Sequence, residues 1–227
     1  MILRSRPGVR APRGHRRLRF DAVREEPTLI AGRLEATLRV PEVTPLATAV
    51  VTHPLPTHGG TMRNPLIAAI ARACAERGWY ALRFNFRGTG ASRGSFTGGR
   101  EEAADVADAV AHARGLAPVP VGLAGFSFGA LMILRWLAAG GSADAIALAG
   151  VPLRSVSLER EDLPPVPDGT FIVCGENDQF GSAAELRAAL PRARIAEVRG
   201  ADHFFGGRHR EVAALIAESL ARDLRLA

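Results

Sequence analysis

From about Thr28 onward, short β-branched or apolar runs alternate with longer stretches whose apolar residues recur every three or four positions. The short runs predict strands at Leu34–Val40, Ala47–Thr52, Tyr80–Phe84, Val119–Ala124, Ala145–Leu148, Thr170–Cys174 and Arg194–Val198. Between them lie helices with legible ends. Asn64 can cap a helix that opens on Pro65, carries Leu66, Ile67, Ile70 and Cys74 at helical spacing, and stops at Gly78. A second starts near Gly99, has Glu101 and Glu102 in its first turn, and ends at Gly115. A third runs from Phe128 to about Ala139 and a fourth from Ser182 to Leu190. The last places Val212, Leu215, Ile216 and Leu220 on one face. Such alternation predicts an α/β fold: a mostly parallel, doubly wound sheet covered by helices on both sides.

Composition adds two constraints. The 227 residues are 47% hydrophobic and 23% charged, as suits one globular domain with a buried core. The longest uncharged run, residues 115–134, is interrupted by prolines, glycines and a serine and does not read as a membrane span. Two cysteines, Cys74 and Cys174, make neither a disulfide framework nor a zinc site, so a reducing cytoplasm is the expected compartment.

The net charge of +6 suggests nucleic acid until it is located. All 29 basic residues are Arg, and seven of them fall in the first 19 residues, which hold no acid. The remaining 22 face 23 Asp and Glu, so the body is close to neutral. The expected organisation is a basic, disordered tail over residues 1–27 and a single domain over 28–227. The tail has no apolar run after its arginines and does not read as a secretory signal. An artefact of start-codon choice, or an Arg-mediated contact with nucleic acid or a membrane, are the other readings of it.

Gly-x-Ser-x-Gly occurs twice, against a chance expectation of roughly 0.1 matches at this composition. The first, Gly90-Ala91-Ser92-Arg93-Gly94, lies in a Gly-rich stretch with a further Gly-containing loop before any helix, and reads as a loop. The second, Gly125-Phe126-Ser127-Phe128-Gly129, has a predicted strand leading in and a predicted helix leading out. That is the strand–turn–helix in which a nucleophilic serine is held at a helix N-terminus.

A serine hydroxyl needs a base, and the base an orienting carboxylate. In a sheet of this kind they should follow in the order Ser, acid, His, on loops after later strands. Asp178 follows the strand ending at Cys174, and His203 follows the strand ending at Val198. Glu176 and Asp202 compete with Asp178 for the acid. His15 lies in the tail, His112 lies mid-helix and His209 opens the last helix. His53 and His58 sit in the loop after Thr52, where shaping the loop by hydrogen bonding is the reading preferred over chemistry. A metal held by His53, His58, Asp202 and His203 is disfavoured because no pair has a recognised ligand spacing. The loop His53-Pro54-Leu55-Pro56-Thr57-His58-Gly59-Gly60 should also supply one of two backbone N–H groups for an oxyanion. Pro54 and Pro56 have none, so Leu55 is the candidate, with Phe128 as the second donor.

Together these residues resemble the α/β-hydrolase superfamily, and within it the small bacterial hydrolases grouped with dienelactone hydrolases. The resemblance runs in order over about residues 34–222. It is carried by His53-Pro54 with Gly59-Gly60 and Asn64, Leu82-Arg83-Phe84-Asn85-Phe86-Arg87-Gly88, Ser92, Gly94 and Phe96, Ala124 to Ala130, and Gly200-Ala201-Asp202-His203-Phe204-Phe205. It implies an esterase-type triad of Ser127, Asp178 and His203. One departure is Leu55, where relatives commonly carry a second histidine. Larger members insert a cap after the sixth strand, but Gly150 to Gly169 is only 20 residues and Pro-rich, so no sizeable cap and an open, shallow site are expected.

The expected activity is hydrolysis of a carboxylic ester with a small or projecting acyl group, without cofactor or metal. The partner is then a small-molecule ester or thioester, with no membrane and no nucleic acid. Thioester cleavage, acyl transfer and cofactor-free peroxidase chemistry use the same machinery, and a non-catalytic interaction protein is a further alternative.

Overall fold

A computed structural model of the protein describes residues 24–154, 163 and 165–226. Eight strands form one sheet: β1 (Arg24–Ile30), β2 (Leu34–Val40), β3 (Thr48–Thr52), β4 (Tyr80–Phe84), β5 (Val121–Phe126), β6 (Ala145–Ala149), β7 (Phe171–Gly175) and β8 (Arg194–Val198). Their order is β1-β2-β4-β3-β5-β6-β7-β8. β3 to β8 are mutually parallel, while β2 pairs antiparallel with both β1 and β4. The helices are α1 (Pro65–Ala75), α2 (Glu102–Leu116), α3 (Phe128–Ala138), α4 (Ala183–Ala189) and α5 (His209–Asp223), with one 3₁₀ turn at Pro56–His58.

The period of two along the central strands assigns side chains to two cores. Val50, Leu123, Ile146, Leu148 and Ile172 join the core under α2 and α3. Ala49, Val51, Ala124, Ala147, Ala149 and Val173 join the one under α1 and α5. Alanines dominate that second face, which lets α1 and α5 approach the sheet closely. In return Leu66, Ile67, Ile70, Val212, Ile216 and Leu220 become fully buried, each contributing roughly 1.5–3 kcal/mol. Asn64 caps α1 as read, its side chain accepting from the N–H groups of Leu66 and Ile67, and at α4 Ser182 and Glu185 form a reciprocal capping box that the sequence reading did not name.

Three boundaries differ from the sequence reading by two residues or more. The domain does not begin at residue 28: Arg24 to Pro27 belong to β1, which pairs with β2 over its whole length from Arg24 opposite Val40 to Ile30 opposite Leu34. The connecting turn has left-handed backbone at Ala31 and Gly32, and the Arg33 N–H donates to Ile30 O at 3.0 Å. Residues 1–23 of the expected tail lie outside the described residues. β5 begins two residues later than read and runs to Phe126, because its ladder with β3 and β6 continues through Gly125 opposite both Thr52 and Leu148. α2 starts at Glu102 rather than near Gly99, since the buried Glu102 carboxylate accepts from the N–H groups of Thr97 and Gly99 and holds that stretch as a loop.

Between β6 and β7 the chain has only residues 150–170, too few for a cap domain; residues 155–162 and 164 of this segment lie outside the described residues. Among the described residues no helix is long and apolar enough to cross a membrane.

Candidate active site

Ser127 is the single residue between β5 and α3. Its backbone is at φ 53° and ψ −116°, a conformation that costs a residue with a side chain about 1–3 kcal/mol. It is clamped from both sides: its N–H donates to Ala149 O at 3.0 Å and its carbonyl accepts from Leu131 N–H at 3.1 Å. The flanking glycines are required by crowding. A Cβ on Gly125 would lie 2.7 Å from Thr52 Oγ1, and one on Gly129 would lie 2.6 Å from Thr52 O and 2.7 Å from His53 O. The end of β3 therefore rests directly against the turn.

His203, on the loop after β8, places Nε2 2.9 Å from Ser127 Oγ. Its Nδ1 lies 2.9 and 3.0 Å from the two carboxylate oxygens of Asp178, on the loop after β7. An ionised carboxylate only accepts, so Nδ1 carries the proton and Nε2 is left to accept from the Ser127 hydroxyl. Asp178 also accepts from the Phe180 N–H at 2.9 Å. Asp178 is 5% and His203 3% exposed, and Phe126, Phe180 and Phe204 enclose the imidazole at ring separations of 5.4, 4.7 and 5.4 Å. Water is thus kept from the Asp178–His203 pair, which strengthens it.

The competing residues are otherwise engaged. Glu176 accepts from Gly200 N–H at 2.7 Å, and the exposed Asp202 from Phe204 N–H at 3.0 Å. Ser92, the serine of the other motif, donates to Asn85 O at 2.6 Å and accepts from Glu35 N–H at 2.9 Å, so it ties the loop after β4 to β2. His112 lies on α2, His209 donates to Phe204 O at 3.1 Å, and His15 lies outside the described residues.

His53 shapes its loop in a specific way. It is fully buried; Nδ1 donates to Pro54 O at 2.7 Å and Nε2 accepts from Phe86 N–H at 3.1 Å. Both ring nitrogens are occupied, which removes it as a metal ligand, and burial pushes its pKa down to about 4. The Pro54 carbonyl and the Leu55 N–H share one planar trans peptide and point in opposite directions. By holding the carbonyl, His53 turns the Leu55 N–H the other way. Among the described residues that N–H donates to no partner. Nor does the N–H of Phe128, which opens α3 and has no intrahelical acceptor. Sequence reasoning named the two donors but not this lever, which depends on the Phe86 backbone reaching His53 from the loop after β4.

A cleft of about 200 Å³ opens at Ser127 and His203. One wall is the β3–α1 loop, from Pro54 and Leu55 to Gly60 and Asn64; the other is Pro152, Phe180 and Phe204 from the loops after β6, β7 and β8. The aromatic wall had no signal beyond the residues themselves, because the three loops meet only in the folded sheet. Larger hollows of about 550 and 950 Å³ lie on α5, but neither brings a serine and a histidine together. Among the described residues no cluster of three or more His, Cys, Asp or Glu could hold a metal ion. The geometry supplies what acyl-group chemistry requires: a hydroxyl hydrogen-bonded to an oriented imidazole, and free N–H groups at a helix N-terminus.

Comparison with known proteins agrees with this fold. A family model described as an alpha/beta hydrolase domain matches residues 52–222. The uncharacterized protein RP471 of Rickettsia prowazekii is 28% identical over 184 residues, which are 76% of this chain and 77% of that one. An alpha-beta serine hydrolase homologue from Coxiella burnetii superposes with a TM-score of 0.75 at 27% identity, covering 87% of this chain and 97% of that one. XC6422 of Xanthomonas campestris, a serine hydrolase without lid, gives 0.73 at 29% identity over 88% and 94% of the two chains. From the family match over most of its length and the fold it shares with these serine hydrolases, the chain belongs to the alpha/beta hydrolase family.

Proposed function

We propose that the protein is a serine hydrolase that cleaves carboxylic esters of small or projecting acyl groups through an acyl-enzyme. The observation that carries this reading is the unbroken hydrogen-bond relay from Asp178 through His203 to Ser127. His203 takes the hydroxyl proton as Ser127 Oγ attacks the ester carbonyl. The oxyanion forms against the N–H groups of Leu55 and Phe128, aided by the positive end of α3. His203 then returns its proton to the departing alkoxide, and the alcohol leaves. Water attacks the acyl-enzyme by the same route, restoring Ser127 and releasing the acid. Asp178 keeps the imidazole in the correct tautomer and stabilises it when charged. The open cleft favours short acyl groups over long chains that need deep burial.

The test is covalent labelling. The wild-type protein treated with a fluorophosphonate should gain one adduct on Ser127 and hydrolyse short p-nitrophenyl esters. Ser127→Ala should take no adduct and lose at least about 10³-fold in turnover. A folded wild-type protein with neither adduct nor turnover overturns the proposal. Turnover of acyl thioesters at the expense of oxygen esters would move the reading to a thioesterase.

A further inference from the structure

The cleft is chemically lopsided. Its β7–β8 side is aromatic, with Phe180 packed on the His203 imidazole and Phe204 59% exposed beside it. Its β3–α1 side ends in two polar groups that the mechanism does not use, His58 and Asn64. The amide of Asn64 cannot be turned at will. Its Oδ1 accepts from Leu66 N–H at 3.0 Å and Ile67 N–H at 3.4 Å to cap α1, so the Nδ2 donor must face away from the helix. Among the described residues that Nδ2 has no acceptor. His58 is exposed, with Nδ1 3.1 Å from Thr57 Oγ1, which leaves Nε2 for a ligand.

The proposed chemistry fixes which half of an ester meets which wall. The carbonyl oxygen must sit at the N–H groups of Leu55 and Phe128. The departing oxygen must lie within reach of His203 Nε2, which puts the alcohol against Phe180 and Phe204. The remaining substituent, the acyl chain, then faces His58 and Asn64.

We propose that His58 and Asn64 read the acyl half, and that the acyl group this enzyme takes carries a hydrogen-bond-accepting oxygen, carbonyl or carboxylate, a few bonds beyond the scissile carbonyl. The inference rests on the serine-hydrolase reading above. A chain without that oxygen leaves the Asn64 donor unmet once the cleft is desolvated, a loss worth roughly tenfold in kcat/KM.

The experiment compares three p-nitrophenyl esters with the same leaving group: pentanoate, 4-oxopentanoate and hemisuccinate. The wild type is expected to favour at least one acceptor-bearing ester over pentanoate by about tenfold in kcat/KM. Preference for both identifies a neutral acceptor as sufficient, and preference for hemisuccinate alone identifies a carboxylate; either supports the proposal. The ratio should fall toward one in His58→Ala and in Asn64→Asp. The latter keeps an oxygen for the α1 cap while replacing the donor by an acceptor, so folding is preserved. A wild-type ratio of one, or a ratio that survives in both variants, overturns the inference while fluorophosphonate labelling of Ser127 leaves the underlying reading intact. Absence of both labelling and turnover would instead remove the underlying reading and this inference with it.

Discussion

Burial holds the His53 imidazole near a pKa of about 4, whereas in the unfolded chain it titrates near 6.5. The unfolded state therefore binds the proton first. Stability from this group is fully present above about pH 6.5 and falls as the pH drops toward 4, by about 3 kcal/mol over the window. Urea midpoints measured from pH 7 to pH 4 should show this slope, and His53→Gln should flatten it. The same substitution should lower kcat, because the peptide that carries the Leu55 N–H loses its tether to the imidazole. At this scale the candidate site was partly legible. Ser127 and His203 could be named because strand–turn–helix context and chain order constrain them. Asp178 stood beside Glu176 two residues away, and only the path of the β7 loop decides which carboxylate meets the imidazole and which turns to Gly200.

The elements are held in place by polar ties as much as by the two apolar cores. Asp105 on α2 is fully buried and accepts from the backbone N–H and guanidinium of Arg87 and from Arg33. Removing it as Asp105→Ala takes away the buried partner that Arg33 and Arg87 share, leaving Arg33 with Asp108 and Arg87 with Glu101, and should cost about 2 kcal/mol, read from urea unfolding. The proposed turnover of a short ester below the unfolding range should persist, since Asp105 lies outside the cleft. Gly129→Ala acts differently. Its Cβ would collide with the backbone of Thr52 and His53, so β3 and α3 must part. We expect a loss of about 1–3 kcal/mol and a disproportionate fall in kcat, because the two proposed oxyanion donors, Leu55 and Phe128, lie just after β3 and at the start of α3. Most elements could be read from apolar period and capping residues, but β1 could not. Arg-Glu-Glu-Pro-Thr-Leu-Ile has little alternation, a proline and a run of charge, and it becomes a strand only by pairing along β2, with Pro27 tolerated on a sheet edge. Ser92 likewise has no local sign of its task, which is to tie the loop after β4 to Glu35 of β2, 57 residues away.

For the molecule as a whole, charge and the proposed catalysis are expected to be separable. The first 19 residues carry seven arginines and no acid, while the rest of the chain is almost balanced. Deleting them should remove binding to a cation-exchange resin at pH 7 and leave kcat/KM for a short ester unchanged. The positive φ at Ser127 belongs to this scale too, because a local distortion of 1–3 kcal/mol persists only if the surrounding fold outweighs it. The sequence that would make this protein most durable is therefore not the one that makes it reactive. Glycine adopts this backbone without the penalty, whereas alanine keeps the offending Cβ. A catalytically dead Ser127→Gly protein should melt about 2–4 °C above Ser127→Ala, a gap corresponding to about 1 kcal/mol. Calorimetry of the two inactive variants would weigh, in heat alone, how much firmness the fold gives up to keep one hydroxyl pointed at its histidine.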